Sequence, residues 1–126
     1  MKFLGQHYIL ELYDCDKGIC NNIEELKKIM LKAVEIANAT VVQTYFHQFS
    51  PYGVSGTIVI AESHFNIHTW PEHDFMAIDL FTCGNTLDPD AAKDYLVKAT
   101  GSQNHEYKVL ERGALAKITP TVPNSN

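Results

Sequence analysis

The segment AESHFNIHTWPE, residues 61–72, places several reactive groups in a stretch that otherwise has the pattern of a buried strand. Glu62 carries a carboxylate, Ser63 a hydroxyl, and His64 and His68 carry imidazoles. These are groups that act as nucleophiles and as general acids and bases in enzymes. The spacing therefore predicts an active site and raises the question of which reaction it serves.

Two common kinds of site fit this segment poorly. Four side chains are of types that bind zinc: His64, His68, His73 and Cys83. Histidines four residues apart on one strand, however, would lie roughly 13 Å apart at about 3.3 Å per residue, so we expect no metal site. A serine hydrolase is also disfavoured, because no G-x-S-x-G sequence surrounds Ser63 and because Glu62 would point to the other face of a regular strand.

The Glu62–Ser63 peptide bond offers a third possibility, in which the backbone itself is the substrate. In a strained turn the Ser63 hydroxyl could attack the Glu62 carbonyl carbon, and an N-to-O acyl shift would convert the amide to an ester. Loss of the serine α-proton would then expel the Glu62 carboxylate and leave dehydroalanine, whose imine form hydrolyses to ammonia and a pyruvoyl group. The products would be residues 1–62 and 63–126, and the new ketone could form a Schiff base with an amine substrate.

Composition narrows the class of protein. With 126 residues and 45% hydrophobic content, the chain fits one domain, which we place at residues 1–118. The formal net charge of -5 argues against binding to nucleic acid. Three cysteines are too few for a disulfide framework, and we find neither a signal-sequence core nor an apolar run of membrane-spanning length. We therefore expect a cytoplasmic protein with no membrane partner.

Apolar periodicity predicts six strands and two helices. The predicted strands cover residues 3–13, 41–49, 54–61, 64–70, 75–83 and 103–110. One helix is predicted at residues 23–38, after an Asn22 cap, and the other at residues 89–99, after an Asp88 cap followed by proline. Two prolines and several polar residues predict a flexible tail at residues 119–126.

The order of these elements predicts an α+β fold, a two-layer αβ sandwich with a mainly antiparallel sheet and the helices on one face. Within residues 64–70, Phe65 and Ile67 point to one side of the sheet, while His64 and His68 point to the other. The second face carries aromatic side chains that are costly to expose, so we expect a second copy of the chain to cover it. The homodimer would have four layers in the order αββα, with the reactive side chains near the interface.

Three sequence blocks resemble one known family. They are P-x-G-V-S-G and E-S-H-x-x-I-H-T-W-P-E, within residues 49–72, and F-T-C-G at residues 81–84. In this order, and with GQHYILELYDCD near the N-terminus, they resemble the bacterial and archaeal S-adenosylmethionine decarboxylases, with strand order and length agreeing through about residue 112. The resemblance implies a self-cleaving proenzyme whose pyruvoyl cofactor decarboxylates S-adenosylmethionine to the aminopropyl donor for spermidine.

The resemblance also implies roles in self-processing and catalysis. Ser63 becomes the pyruvoyl group, and Glu62 becomes the carboxyl terminus of the shorter chain. Ser55 and His68 assist the processing steps, because a hydroxyl can hydrogen-bond the ester and an imidazole moves protons near neutral pH. Cys83 donates a proton to the substrate's α-carbon after carbon dioxide leaves, a role that suits a thiol.

For the substrate, the resemblance implies that Glu72 accepts hydrogen bonds from the ribose hydroxyls, that Phe49 stacks on adenine and that Trp70 shapes the pocket. A carboxylate and an aromatic face both favour a cationic sulfonium. The resemblance implies no role for the other histidines. We expect His64 to hydrogen-bond the turn and His7 to be an ordinary surface or interface residue.

One departure from the family's pattern leaves the substrate open. Many relatives have a Tyr-Gly-Tyr-like stretch after the T-W-P-E block, whereas this chain has His73-Asp74-Phe75, with Met76 where a small residue is usual. One alternative is a pyruvoyl-dependent arginine or ornithine decarboxylase of the same family, in which Asp74 would help to bind a basic side chain. The other is an uncleaved regulatory paralogue without enzymatic activity.

Overall fold

Six antiparallel strands form one sheet in the computed structural model, which describes residues 2–118. The predicted tail at 119–126 lies outside the described residues. The sheet order is β2-β3-β4-β5-β1-β6. The strands are β1 Phe3–Tyr13, β2 Val41–Gln48, β3 Val54–Ile60, β4 Ser63–Trp70, β5 Phe75–Thr82 and β6 Asn104–Ala114. The α-helices are α1 Lys17–Cys20, α2 Ile23–Ile36 and α3 Pro89–Ala99, and single 3-10 turns cover Pro71–His73 and Leu115–Lys117.

Both predicted helices are present, and both begin at the predicted caps. The Asn22 side chain accepts a hydrogen bond from the Glu25 N–H at the start of α2. Asp88 does the same for the Ala91 N–H at the start of α3, where Pro89 occupies the first helical position and needs no hydrogen-bond acceptor. Local sequence therefore fixes where each helix begins.

The helices cover one face of the sheet and leave the other face open. The apolar side of α2 and α3 is buried, and its main members are Leu26, Met30, Ala33, Val34, Ala92 and Leu96. Opposite them, every second residue of β3, β4 and β5 is buried, as the predicted alternation requires. The predicted α+β two-layer sandwich is confirmed. Among the described residues, no helix is long and apolar enough to cross a membrane.

Two elements differ from the prediction. The sequence predicts only a turn at residues 14–22, but the structure has the short helix α1, whose first turn is capped by Asp16. Strand β6 runs to Ala114 rather than residue 110, because it pairs with β1 along its whole length as far as Phe3. The other strand ends agree with the prediction to within one residue.

Thr69 links helix α1 to the sheet. Its hydroxyl donates to the Cys20 carbonyl at 2.7 Å and accepts from the Val54 N–H at 3.0 Å, and the residue is buried. We expect Thr69→Val, which has nearly the same shape, to lower the free energy of unfolding by about 2–4 kcal/mol, because it leaves two buried backbone groups unpaired. Urea unfolding measures this loss, and Thr86→Val, in the exposed loop before α3, should change stability by less than about 0.5 kcal/mol. Equal effects of the two variants would contradict the prediction.

Candidate active site

The turn between β3 and β4 contains the bond whose cleavage the family resemblance implies. Ile60 pairs with Ser63 across the hairpin, so Ala61 and Glu62 alone make the turn. Glu62 has φ 63, in the left-handed region, which costs about 1–3 kcal/mol for a residue other than glycine. The carbonyl before Ser63 therefore belongs to a strained residue, as an acyl shift at this bond would require.

Cys83 lies next to this turn across the sheet. Ser63 pairs with Thr82, the last residue of β5, and Cys83 follows it immediately. The Cys83 side chain is exposed and lines an open cleft of about 320 Å³ with residues of β1, namely Leu4, Gly5 and Gln6. We call Glu62, Ser63 and Cys83 the cleavage half-site.

The other two cysteines are buried and face each other. A hydrogen bond with Cys20 lowers the pKa of the Cys15 thiol, while the same bond and burial raise the pKa of Cys20. The Cys15 thiol also donates to the Leu12 carbonyl in the core. Of the three thiols, Cys83 is thus the one that a substrate can reach.

A second cleft, of about 250 Å³, collects most of the remaining predicted site residues. Its lining consists of Phe49, Tyr52, Gly53, Val54, Ser55, His68, Thr69, Trp70 and Glu72. Five of these are residues that the sequence analysis assigned to processing or substrate binding. We call Phe49, Ser55, His68, Trp70 and Glu72 the cleft half-site.

The P-x-G-V-S-G block shapes this second cleft. Gly53 has φ 111, which side chains rarely tolerate, and its N–H donates to the Asn21 side chain at 2.8 Å. A Cβ on Gly56 would lie 2.3 Å from the Phe46 ring, so only glycine lets that ring pack flat on β3. The strand that follows places Ser55 directly opposite His68 on β4.

Ser55 and His68 form a hydrogen-bonded pair, with Oγ 2.7 Å from Nδ1. An imidazole and a hydroxyl in direct contact can pass a proton between them and a bound group. Around this pair, Phe49 and Trp70 are 47% and 41% exposed, so part of each ring is open to a ligand. Glu72 adds an exposed carboxylate from the 3-10 turn after β4.

One chain does not bring the two half-sites together. Ser63 and His68 are five residues apart on the same strand, so they lie about 16 Å apart at about 3.3 Å per residue. Ser63 sits at the hairpin end of β4, whereas His68 sits near the end that leads to Trp70. Proton transfer between the His68 imidazole and the Ser63 site cannot occur over that distance within one sheet.

The residues that depart from the family's pattern do not line the second cleft. Met76 is fully buried among the core residues, on the helix-covered face of β5. Asp74 is a left-handed turn residue with φ 50, its carboxylate pairs with Lys17, and its carbonyl accepts from the Cys15 N–H. The Asp74 carboxylate therefore holds a turn against helix α1.

A polar cluster that the sequence did not predict lies on the open face of the sheet. His7 Nε2 is 2.8 Å from Asp79 Oδ2, and His64 Nε2 is 3.7 Å from the same oxygen. The expectation that His64 bonds the turn is wrong: its ring instead stacks on Phe81, with centroids 5.8 Å apart. His7, which the sequence predicts to be a surface or interface residue, has a side chain that is 21% exposed and contacts Asp79, Arg112, His64 and Phe81.

No local signal could have found this cluster. Its members come from β1, β4 and β5, which are neighbours only because of the sheet order β4-β5-β1. The zinc-type set considered from the sequence, by contrast, does not converge. Within residues 2–118, the group of histidine, cysteine and acidic side chains whose ligand atoms converge is His7, His64 and Asp79.

Comparison with known proteins points to one family. A family model described as S-adenosylmethionine decarboxylase matches residues 6–113. A protein of Thermosipho melanesiensis named S-adenosylmethionine decarboxylase proenzyme is 53% identical over 103 residues, which is 82% of this chain and 79% of the relative. A protein of the same name from Thermodesulfovibrio yellowstonii is 40% identical over 124 residues, 98% of this chain and 92% of the relative.

A solved structure has the same architecture. The crystal structure of the adenosylmethionine decarboxylase from Aquifex aeolicus matches with a TM-score of 0.84 and 32% sequence identity. The match covers 95% of this chain and 99% of that one. Similarity in sequence and in fold therefore extends over nearly the whole chain.

Proposed function

Because the chain belongs to the S-adenosylmethionine decarboxylase family, we propose that it decarboxylates S-adenosylmethionine at a pyruvoyl group made from its own Ser63. The observation that carries the proposal is the position of Ser63, directly after the strained Glu62 in a two-residue turn. The relatives' shared name, proenzyme, supports a chain that must be processed before it acts.

Processing starts with the residues of the turn. The Ser63 hydroxyl attacks the Glu62 carbonyl carbon, the C–N bond breaks, and an ester replaces the amide. A base then removes the Ser63 α-proton, and the bond between Ser63 Cβ and the ester oxygen breaks to free the Glu62 α-carboxylate. Water converts the remaining dehydroalanine to the pyruvoyl group and releases ammonia. The strain at Glu62 favours the first step because cleavage relieves it.

A pyruvoyl group at position 63 would supply the electron sink for the pair that remains when carbon dioxide leaves the substrate. The cleft half-site fits the rest of the substrate. Phe49 and Trp70 offer ring faces for adenine and the sulfonium, and the Glu72 carboxylate accepts hydrogen bonds from ribose hydroxyls. Cys83 delivers the proton that replaces the lost carboxyl group on the α-carbon.

The distance between the half-sites leads us to propose that the enzyme is a homodimer with shared active sites. A second copy packed face to face on the open sheet, related by a two-fold axis, would set the cleft half-site of one chain against the cleavage half-site of the other. The open face carries exposed apolar side chains that such packing would bury: Tyr45, Val59, Trp70 and Leu110. This is the four-layer αββα arrangement expected from the sequence.

The substrate is tested by measuring carbon dioxide release from carboxyl-labelled S-adenosylmethionine, arginine and ornithine. We expect release from S-adenosylmethionine alone, because the residues that suit adenine and ribose line one cleft while Asp74 is occupied by Lys17. Turnover of either amino acid without release from S-adenosylmethionine would reverse this choice. An uncleaved chain that releases carbon dioxide from none of the three would favour the regulatory alternative.

Cys83→Ala should separate processing from turnover. We expect the variant to cleave normally, because the acyl shift and elimination do not use the thiol, but to lose about 10²–10⁴-fold in kcat, the usual contribution of a general acid. We expect the kcat of Cys83→Ser to be no higher than that of the wild type and no lower than that of Cys83→Ala. A hydroxyl holds its proton far more tightly than a thiol, so serine is a poor substitute as proton donor. Fragment masses report cleavage and labelled carbon dioxide reports turnover. An unchanged kcat in Cys83→Ala would remove the thiol from the mechanism.

A further inference from the structure

The polar cluster on the open sheet face has the donor set and the geometry of a metal site. His7, His64 and Asp79 each offer one ligand atom, and these atoms all lie within 4.8 Å of one another. Zinc takes histidine nitrogen and carboxylate oxygen ligands at about 2.0–2.2 Å, which places pairs of ligand atoms about 3–4 Å apart. Small side-chain rotations therefore suffice to close the cluster around one ion.

We propose that His7, His64 and Asp79 form a binding site for a divalent transition-metal ion of the zinc and cobalt type. Two imidazoles and one carboxylate suit such ions far better than magnesium or calcium, which prefer sites made of oxygen alone. The three residues belong to neither half-site. The inference therefore holds or fails independently of the proposed decarboxylation.

The sheet holds the three side chains in place before any ion binds. His64 and His7 both pair with Phe81, one from each side, so the two imidazoles flank the same residue of β5. Asp79 lies two residues earlier on β5 and therefore on the same face. The His64 ring stacks on Phe81 at an interplanar angle of 15°, which limits its rotation. An ion at this point would join β1, β4 and β5.

Arg112 controls whether His7 can act as a ligand. Its Nη1 lies 3.1 Å from His7 Nδ1, and because arginine only donates, Nδ1 must accept and the ring proton must sit on Nε2. That proton is the one donated to Asp79 in the metal-free network. Metal binding through Nε2 moves the ring proton to Nδ1, which can then no longer accept from Arg112. The Arg112 contact and metal binding therefore exclude each other.

The test is a titration of the full-length protein, purified with a chelator and then dialysed, with Co²⁺ followed by its visible absorption. We expect one Co²⁺ per chain, displaced by Zn²⁺. His7→Gln and Asp79→Asn should each weaken binding at least tenfold, and His105→Gln, an exposed histidine on β6, should leave it unchanged. The proposal would be overturned if Co²⁺ binding to the wild type did not saturate. It would also be overturned if the wild type and His7→Gln bound Co²⁺ with equal affinity.

Arg112→Gln provides a test in the opposite direction and changes an exposed side chain. A glutamine oxygen can accept from His7 Nδ1–H, so this variant should bind Co²⁺ more tightly, by about 10–100-fold, the usual effect of partners hydrogen-bonded to a metal ligand. Weaker or unchanged binding would contradict the site. Fragment masses measured on the same samples report self-cleavage separately. A failure of the proposed decarboxylase function is thereby distinguished from a failure of the proposed metal site.

Discussion

Ser63→Ala is expected to leave the protein as one intact 14.2 kDa chain with no decarboxylase activity above background. Ala61 and Glu62 make the turn and carry no hydroxyl or thiol, so the Ser63 hydroxyl is the nucleophile next to the Glu62 carbonyl. Without the attack there is no ester, no elimination and no ketone, so both cleavage and turnover are lost together. Denaturing mass spectrometry and carbon dioxide release measure the two losses.

Ser102→Ala is the matched control for this variant. Its hydroxyl donates to backbone carbonyls between β1 and β6, far from the turn in sequence and fold, so it should cleave and turn over as the wild type does. Normal cleavage of Ser63→Ala would rule out the serine as nucleophile. A fully active protein whose second fragment begins with an ordinary serine amine would instead rule out the pyruvoyl group, because that fragment would carry no ketone.

The parts of the fold that sequence predicted are those set by neighbours along the chain. Asn22 and Asp88 cap helices through contacts three residues away, and the two-residue period of β4 decides which of its side chains are buried. The residues of the cleft half-site lie together for a related reason. They come from the FSPYGVSG and HTWPE stretches, whose strand residues pair between β3 and β4, so short motifs carry most of its geometry.

The parts that were missed depend on the order of strands in the sheet. Asp79 meets His7 across 72 positions of sequence only because β1 inserts between β5 and β6. No pattern within either strand reports that neighbour. The separation of Ser63 from His68 is different, because it follows from the rise of one strand, about 16 Å over five residues, and does not depend on the strand order.

Mixed dimers provide the most demanding test of the shared active site. If each site takes Ser63 and Cys83 from one chain and Ser55 and His68 from the other, variants defective in different half-sites can repair each other. His68→Ala alone should stall in processing, at the ester that hydroxylamine cuts, because proton transfer beside Ser63 is lost. Cys83→Ala alone should cleave and fail to turn over. Both homodimers are therefore expected to be inactive.

Co-expression of the two variants with different tags should restore activity. In a mixed dimer, Ser63 and Cys83 of the His68→Ala chain face an intact His68, so this chain should now be cleaved and active. The Cys83→Ala chain faces Ala at position 68 and should stay uncleaved in the same dimer. With random pairing, half the dimers are mixed and each has one of two sites intact, so activity should reach about a quarter of the wild-type value.

An active site within one chain and an active site shared between two chains predict different patterns of cleavage. A site complete within one chain would leave the His68→Ala chain stalled whatever its partner, and the mixture would remain inactive. Two differently tagged His68→Ala chains, expressed together, control for effects of co-expression and should remain stalled. Because fragment masses identify which tagged chain has been cut, cleavage of the His68→Ala chain by its partner's imidazole is visible even if turnover is slow. That cleavage would place His68 opposite Ser63 across the interface, since the sheet of one chain holds the two about 16 Å apart.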